Sequence, residues 1–150
     1  MFVLERQKMK ILIINGANLN FLGLRDTSQY GKNTYTDLID RLRDYSKKRN
    51  FEIEFFQSNA EGEIIDRLQR AYYENVSGIV INPAAFTHYS YAIRDTLEIL
   101  TCKKVEVHIS NIYKREKFRQ TSVTAPVCDG QISGLGIRGY ELAIEFILSS

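Results

Sequence analysis

The chain has 150 residues, with 20 Lys and Arg against 18 Asp and Glu, a net charge of +2 and a hydrophobic fraction of 44%. That length suits one domain with a single core, and the mix of apolar and charged residues excludes a disordered or fibrous chain. Basic residues are interleaved with acids, which argues against a nucleic-acid surface; the one basic cluster, Lys114, Arg115, Lys117 and Arg119, reads as a local anion site or a solvated helix face.

The two cysteines, Cys102 and Cys128, have neither metal-ligand spacing nor the density of a disulfide scaffold, an economy expected in a reducing cytoplasm. The apolar stretch Phe2 to Leu4 is too short for a signal-peptide core. No run approaches the ~20 apolar residues that cross a bilayer, so no membrane partner is expected. Residues 1–8 read as an N-terminal extension and residues 9–150 as a single domain.

Met9 to Asn15 is a nearly continuous apolar run closed by Gly16, the pattern of a strand buried on both faces of a parallel sheet. A long Gly- and Asn-rich stretch follows. Tyr35, Leu38, Ile39, Leu42 and Tyr45 then recur at helical spacing behind a capping box of Thr34 and Asp37. Phe51, Ile53 and Phe55 alternate with Glu52 and Glu54 as a second strand. Ser58 and Glu61 are placed to cap a helix carrying Ile64, Ile65, Leu68 and Tyr72. Gly78 to Asn82 is a third strand, followed by a helix near His88 to Leu100, and Lys104 to Ser110 a fourth. Val123, Ala125 and Val127 suggest a short fifth strand, and Tyr140, Ala143, Ile144 and Ile147 a closing helix. The alternation predicts an α/β fold: a flavodoxin-like, open doubly wound sheet of five parallel strands in the order 2-1-3-4-5, with helices on both faces.

Ligands of such sheets sit outside the carboxyl ends of the strands. The connection after the first strand, Asn15 to Gly31, exceeds the ~2 to 6 residues usual for such a link and reads as a binding loop or lid. Asn82 to His88 leads to a helix N-terminus, where free N–H groups meet anions. In the fourth strand, alternation sends Glu106, His108 and Ser110 to one side, where a carboxylate two residues from an imidazole fixes its tautomer for proton transfer. The chain has only two histidines, and both fall at this ligand edge.

Gly134 to Gly139 matches GxGxxG, but too little chain follows for a dinucleotide-binding unit, and the glycines read instead as an entry to the last helix. Asn15 and Asn82 stand where a response regulator needs acids, and Gly16 to Gly23 lacks the hydroxyls of a flavin phosphate loop. Neither a metal nor an organic cofactor is expected.

Five segments together carry a resemblance: NGANLNFLGLRDTSQYG at Asn15 to Gly31, QSNAEGEIID at Gln57 to Asp66, INPAAFTHYSYAIRD at Ile81 to Asp95, EVHISNIYKREKFR at Glu106 to Arg119, and GLGIRGY at Gly134 to Tyr140. From Met9 almost to its end the chain resembles the type II 3-dehydroquinate dehydratases of the shikimate pathway. The resemblance implies anti elimination of water from 3-dehydroquinate through an enolate, without a Schiff base. By motif position Tyr30 is the base, His108 the acid, and Glu106 the residue that orients it. Arg25 matches the lid arginine that favours the phenolate, and Asn18 the residue holding an enolate-stabilising water. Asn82, His88, Ile109, Ser110 and Arg119 match substrate-binding positions, while Asp95 matches an acid that reaches a neighbouring subunit. The resemblance also implies a homo-oligomer, a dodecamer built from trimers. Ala17 stands where the family often has proline and Asp26-Thr27 replaces its usual Glu-Pro, so the free lid is less restricted.

A free phenol ionises near pH ~10, so a tyrosine base near neutrality needs a neighbouring cation and a site closed to water. The rival readings are a flavodoxin-like module that binds a small carboxylate without turning it over, and a nucleotide-binding domain.

Overall fold

The computed structural model describes residues 7–150, so the expectation for residues 1–8 falls largely outside the described residues. The strands are β1 (Lys10–Asn15), β2 (Glu52–Gln57), β3 (Gly78–Asn82), β4 (Lys103–His108) and β5 (Gly130–Ser133). All pair in parallel in the order β2-β1-β3-β4-β5, as expected.

Because side chains alternate along a strand, each strand feeds two cores. Ile11 and Ile13 of β1 join Val80, Val105 and Val107 beneath α2 (Tyr35–Arg49) and α5 (Arg138–Leu148). Leu12 and Ile14 join Ile79 and Ile81 beneath α3 (Glu61–Glu74) and α4 (Tyr91–Ile99). The Thr34–Asp37 capping box starts α2 as the sequence predicts. A further single turn, α1 (Thr27–Tyr30), lies in the long loop after β1.

Three expectations are corrected. Val123, Ala125 and Val127 do not form a strand: Ala125–Val127 is a 3-10 turn with Pro126 at its start, and β5 follows at Gly130. Ser58 and Glu61 do not cap α3. Ala60 is its N-cap without a side-chain bond, and the Ser58 hydroxyl bonds Glu63 instead. The segment from His88 is not one helix; Ala84–His88 is a 3-10 turn, and α4 begins after Ser90, whose Oγ accepts from the Ile93 N–H at 3.1 Å.

Candidate active site

The register sets Asn15 opposite Asn82, so the chain leaves β1 and β3 side by side at the point where strand order reverses. Tyr140 of α5, fully buried, donates to Asn15 Oδ1 at 2.6 Å and accepts from Asn82 Nδ2 at 2.9 Å. Burial raises its hydroxyl far above the ordinary phenol value, so it stays neutral and able to donate. Asn82 Oδ1 accepts the Ala84 N–H at 3.1 Å and holds a turn in which Ala84 adopts φ 54°, a left-handed conformation uncommon outside glycine. Beneath it Gly16 lies so close to Pro83 that a Cβ there would stand 2.2 Å from the Pro83 carbonyl oxygen.

The lid is anchored by Leu19 and Leu22, both buried in the core. Asp26 caps α1 by accepting from the Ser28 N–H at 3.0 Å and the Ser28 hydroxyl at 2.6 Å. That single turn carries Tyr30 inward. Its hydroxyl receives Arg25 Nη2 at 3.1 Å and also Arg115 Nη1. The two guanidinium carbons lie 4.2 Å and 5.1 Å from the ring centroid, so one phenol is flanked by two cations.

Opposite the lid, β4 ends in Glu106, fully buried, and His108, 5% exposed. His108 Nε2 donates to Glu106 Oε2 at 2.9 Å, and the same oxygen accepts from Ser122 at 2.8 Å and Gln131 at 2.7 Å. Thr124 donates to Oε1. Burial alone would raise the Glu106 carboxyl, but the bond and charge of His108, with Thr124 and Gln131, outweigh it and hold the group below its ordinary value. A carboxylate that only accepts is an anion. It fixes the imidazole hydrogen on Nε2, leaving Nδ1 as the nitrogen able to carry and deliver a further proton.

One pocket collects Asn18, Arg25, Tyr30, Asn82, His88, His108, Ile109, Ser110 and Arg119 of the expected set, with Arg115 and Ile112 beside them. Asn18 sits at φ 68° with its N–H on Asn59 Oδ1 at 2.9 Å. His88 Nδ1 contacts the Thr121 carbonyl at 2.8 Å and so bears a hydrogen there. Burial, with the charges of His108 and Arg119, keeps the His88 ring below the usual imidazole value, leaving Nε2 an acceptor. Arg119 reaches the pocket while paired with Glu116. Glu106 stands behind His108 rather than in the lining. Asp95 is exposed on α4 and does not reach this pocket. Arg115 is the principal residue that the sequence reading leaves without a role. Its signal is the basic cluster, of which Arg115 and Arg119 line the pocket.

Among the described residues no group of three or more His, Cys, Asp or Glu side chains could hold a metal ion, and no helix is long and apolar enough to cross a membrane.

A flavodoxin-like sheet whose ligand edge carries a phenol between guanidiniums and an imidazole on a buried carboxylate has the groups of an acid–base enzyme. The model of the family described as dehydroquinase class II matches residues 9–148. The 3-dehydroquinate dehydratase of Thermotoga neapolitana is 62% identical over 139 residues, covering 93% of this chain and 94% of that one. The crystal structure of type II dehydroquinase from Butyrivibrio crossotus superposes with a TM-score of 0.93 at 55% identity, covering 94% of this chain and 98% of that chain. That from Propionibacterium acnes gives 0.91 at 40% identity, covering 96% and 100%. The chain belongs to the class II dehydroquinases, and its reaction is the hydro-lyase conversion of 3-dehydroquinate in the shikimate pathway.

Proposed function

We propose that Tyr30 is the base and His108 the acid of this elimination. The observation that carries the reading is the placement of the Tyr30 hydroxyl between Arg25 and Arg115 on the wall of the pocket that His108 also lines. The Tyr30 oxygen, as phenolate, takes a proton from C2 of 3-dehydroquinate, and the electron pair moves onto the C3 carbonyl to give an enolate. Asn18 holds a water that stabilises the enolate oxygen. The enolate then collapses, the C1–O bond breaks, and the proton on His108 Nδ1 goes to the departing hydroxyl, releasing water. The double bond of 3-dehydroshikimate remains. Glu106 orients His108 and balances the charge of its protonated ring. Asn82, His88, the Ile109 and Ser110 backbone and the Arg119 fork hold the hydroxyls and carboxylate. No lysine lines the pocket among the described residues, which supports a route without an imine.

The cavity is about 50 Å³, room for a few waters, and the lid carrying Arg25 and Tyr30 opens to admit the ring and closes over it. Residues 9–150 act as one catalytic domain behind an extension of residues 1–8. The protein works in the cytoplasm as a dodecamer of trimers, in which the exposed Asp95 reaches a neighbouring subunit's site.

Formation of the conjugated enone carboxylate, followed by ultraviolet absorbance, tests the reading. Tyr30→Phe is expected to abolish product formation while still binding 3-dehydroquinate, and borohydride added with substrate is expected to leave the native enzyme active. Near-native turnover by Tyr30→Phe overturns the assignment.

A further inference from the structure

We infer that Gln131, aligned by Tyr113, is a positioning residue for the proton donor: its amide fixes the Glu106 carboxylate that fixes His108. The inference rests on the proposed role of His108 as acid. Gln131 of β5 is paired directly with Glu106 in the parallel ladder, so the two side chains leave the same face side by side. Gln131 Nε2 donates to Glu106 Oε2 at 2.7 Å, the same oxygen that receives His108 Nε2.

An amide presents a donor and an acceptor at nearly identical positions, and only one orientation suits a carboxylate. Tyr113 selects it. Its hydroxyl donates to Gln131 Oε1 at 2.8 Å, which turns Nε2 towards Glu106. With the amide reversed, two oxygens would face each other. Tyr113 sits in the short turn Ile112–Lys114, directly before Arg115. The relay therefore ties the segment that presents one cation to the base to the carboxylate behind the acid.

On the other side the Ser122 and Thr124 hydroxyls donate to Glu106, and the Thr87 hydroxyl, 2.8 Å and 2.7 Å from them, has one hydrogen to share between the two. These donors survive loss of Gln131, so removing it loosens the carboxylate without freeing it. The charged and titratable groups around the pair are Cys128 with Lys104 and Asp129 behind Glu106, His88 and Arg119 on the binding side, and Arg25, Tyr30 and Arg115 across the pocket. None donates a hydrogen bond to Glu106; Gln131 does, and it is among the groups that keep Glu106 ionised.

The test is steady-state dehydration by Gln131→Leu, Tyr113→Phe, the double variant and His108→Ala. Gln131→Leu is expected to lose about tenfold in kcat, the rate equivalent of one hydrogen bond to a charged group. Its KM should stay within twofold, because the amide touches the carboxylate behind the acid and not the pocket lining. Tyr113→Phe, an exposed change that leaves the core intact, is expected to lower kcat the same way by less. The double variant should be no worse than Gln131→Leu. An unchanged kcat in both single variants, a loss confined to KM, or losses that multiply in the double variant overturns the inference. Turnover retained by His108→Ala overturns the acid assignment and the inference together, whereas an inactive His108→Ala beside native-like Gln131→Leu overturns the inference alone.

Discussion

Arg25→Ala removes one of the two cations on the Tyr30 oxygen, and its cost follows from the geometry. A full charge about 4 Å from a phenolate is worth about 1 kcal/mol in bulk water and about 4 kcal/mol where the effective dielectric is near 20. Arg25 approaches to 3.1 Å, but both side chains are only half-buried, and Arg115 stays in place. A value of about 2 to 3 kcal/mol is therefore expected, roughly a 30- to 150-fold loss of kcat. Because the interaction strengthens as the phenol loses its proton, the loss falls on kcat while KM changes little. Arg115→Ala is expected to behave alike, and the double variant to fall below either one. Steady-state absorbance measures all of this. A loss in kcat below threefold or a loss confined to KM would refute the role given to the guanidinium pair.

Thr27 occupies the first helical position of α1, whose N–H has no partner within the helix, and Asp26 before it lies at φ −51°, ψ 103°. Thr27→Pro should therefore stiffen the free lid by about 0.4 to 1 kcal/mol and slow its proteolysis; unchanged cleavage counts against that. Tyr140→Phe leaves Asn82 Nδ2 and Asn15 Oδ1 without their shared hydroxyl and is expected to lower stability by about 1 to 3 kcal/mol and to raise KM, with an unchanged KM removing Tyr140 from the support of the site. Gly16→Ala drives a methyl into Pro83 and should cost about 1 to 3 kcal/mol or more in denaturant unfolding; a native midpoint would show that the turn yields freely. Glu106 is held below its ordinary value of 4.5, so its contribution to stability is present above that pH and lost as pH falls through the folded value. Thermal unfolding of Glu106→Gln should accordingly decline less steeply with acid than that of the native chain, and parallel declines would contradict this.

The buried central strands and the switch point are legible because a strand covered on both faces must be a continuous apolar run, as Ile11 to Ile14 and Ile79 to Ile81 are. β5 is not, because an edge strand is covered on fewer sides. Gly130 to Ser133 is short and mostly polar, whereas the alternating Val123, Ala125 and Val127 belong to a loop broken by Pro126. Ser58 misleads because it stands two residues too early: Ala60 takes the N-cap place, and the Ser58 hydroxyl accepts the Ala60 N–H at 2.9 Å and bonds Glu63. At the site, Glu106 and His108 are two residues apart on one strand, so periodicity alone pairs them. Their supporters Ser122, Thr124 and Gln131 lie 16, 18 and 25 residues away, and no local pattern marks them. Arg115 hides for the opposite reason, being one of several bases in a row until the lid brings a phenol to it.

The hydrogen-bonded trio of Asn15, Tyr140 and Asn82 gives the crevice between β1 and β3 a fixed floor, and the middle member comes from the chain's final helix. Ligand reach into the sheet is thus limited by a residue that lies outside the pocket lining. Trimming that phenol would leave the Asn82 amide on the rim without its support, so the depth of the chamber and the shape of its mouth are set together.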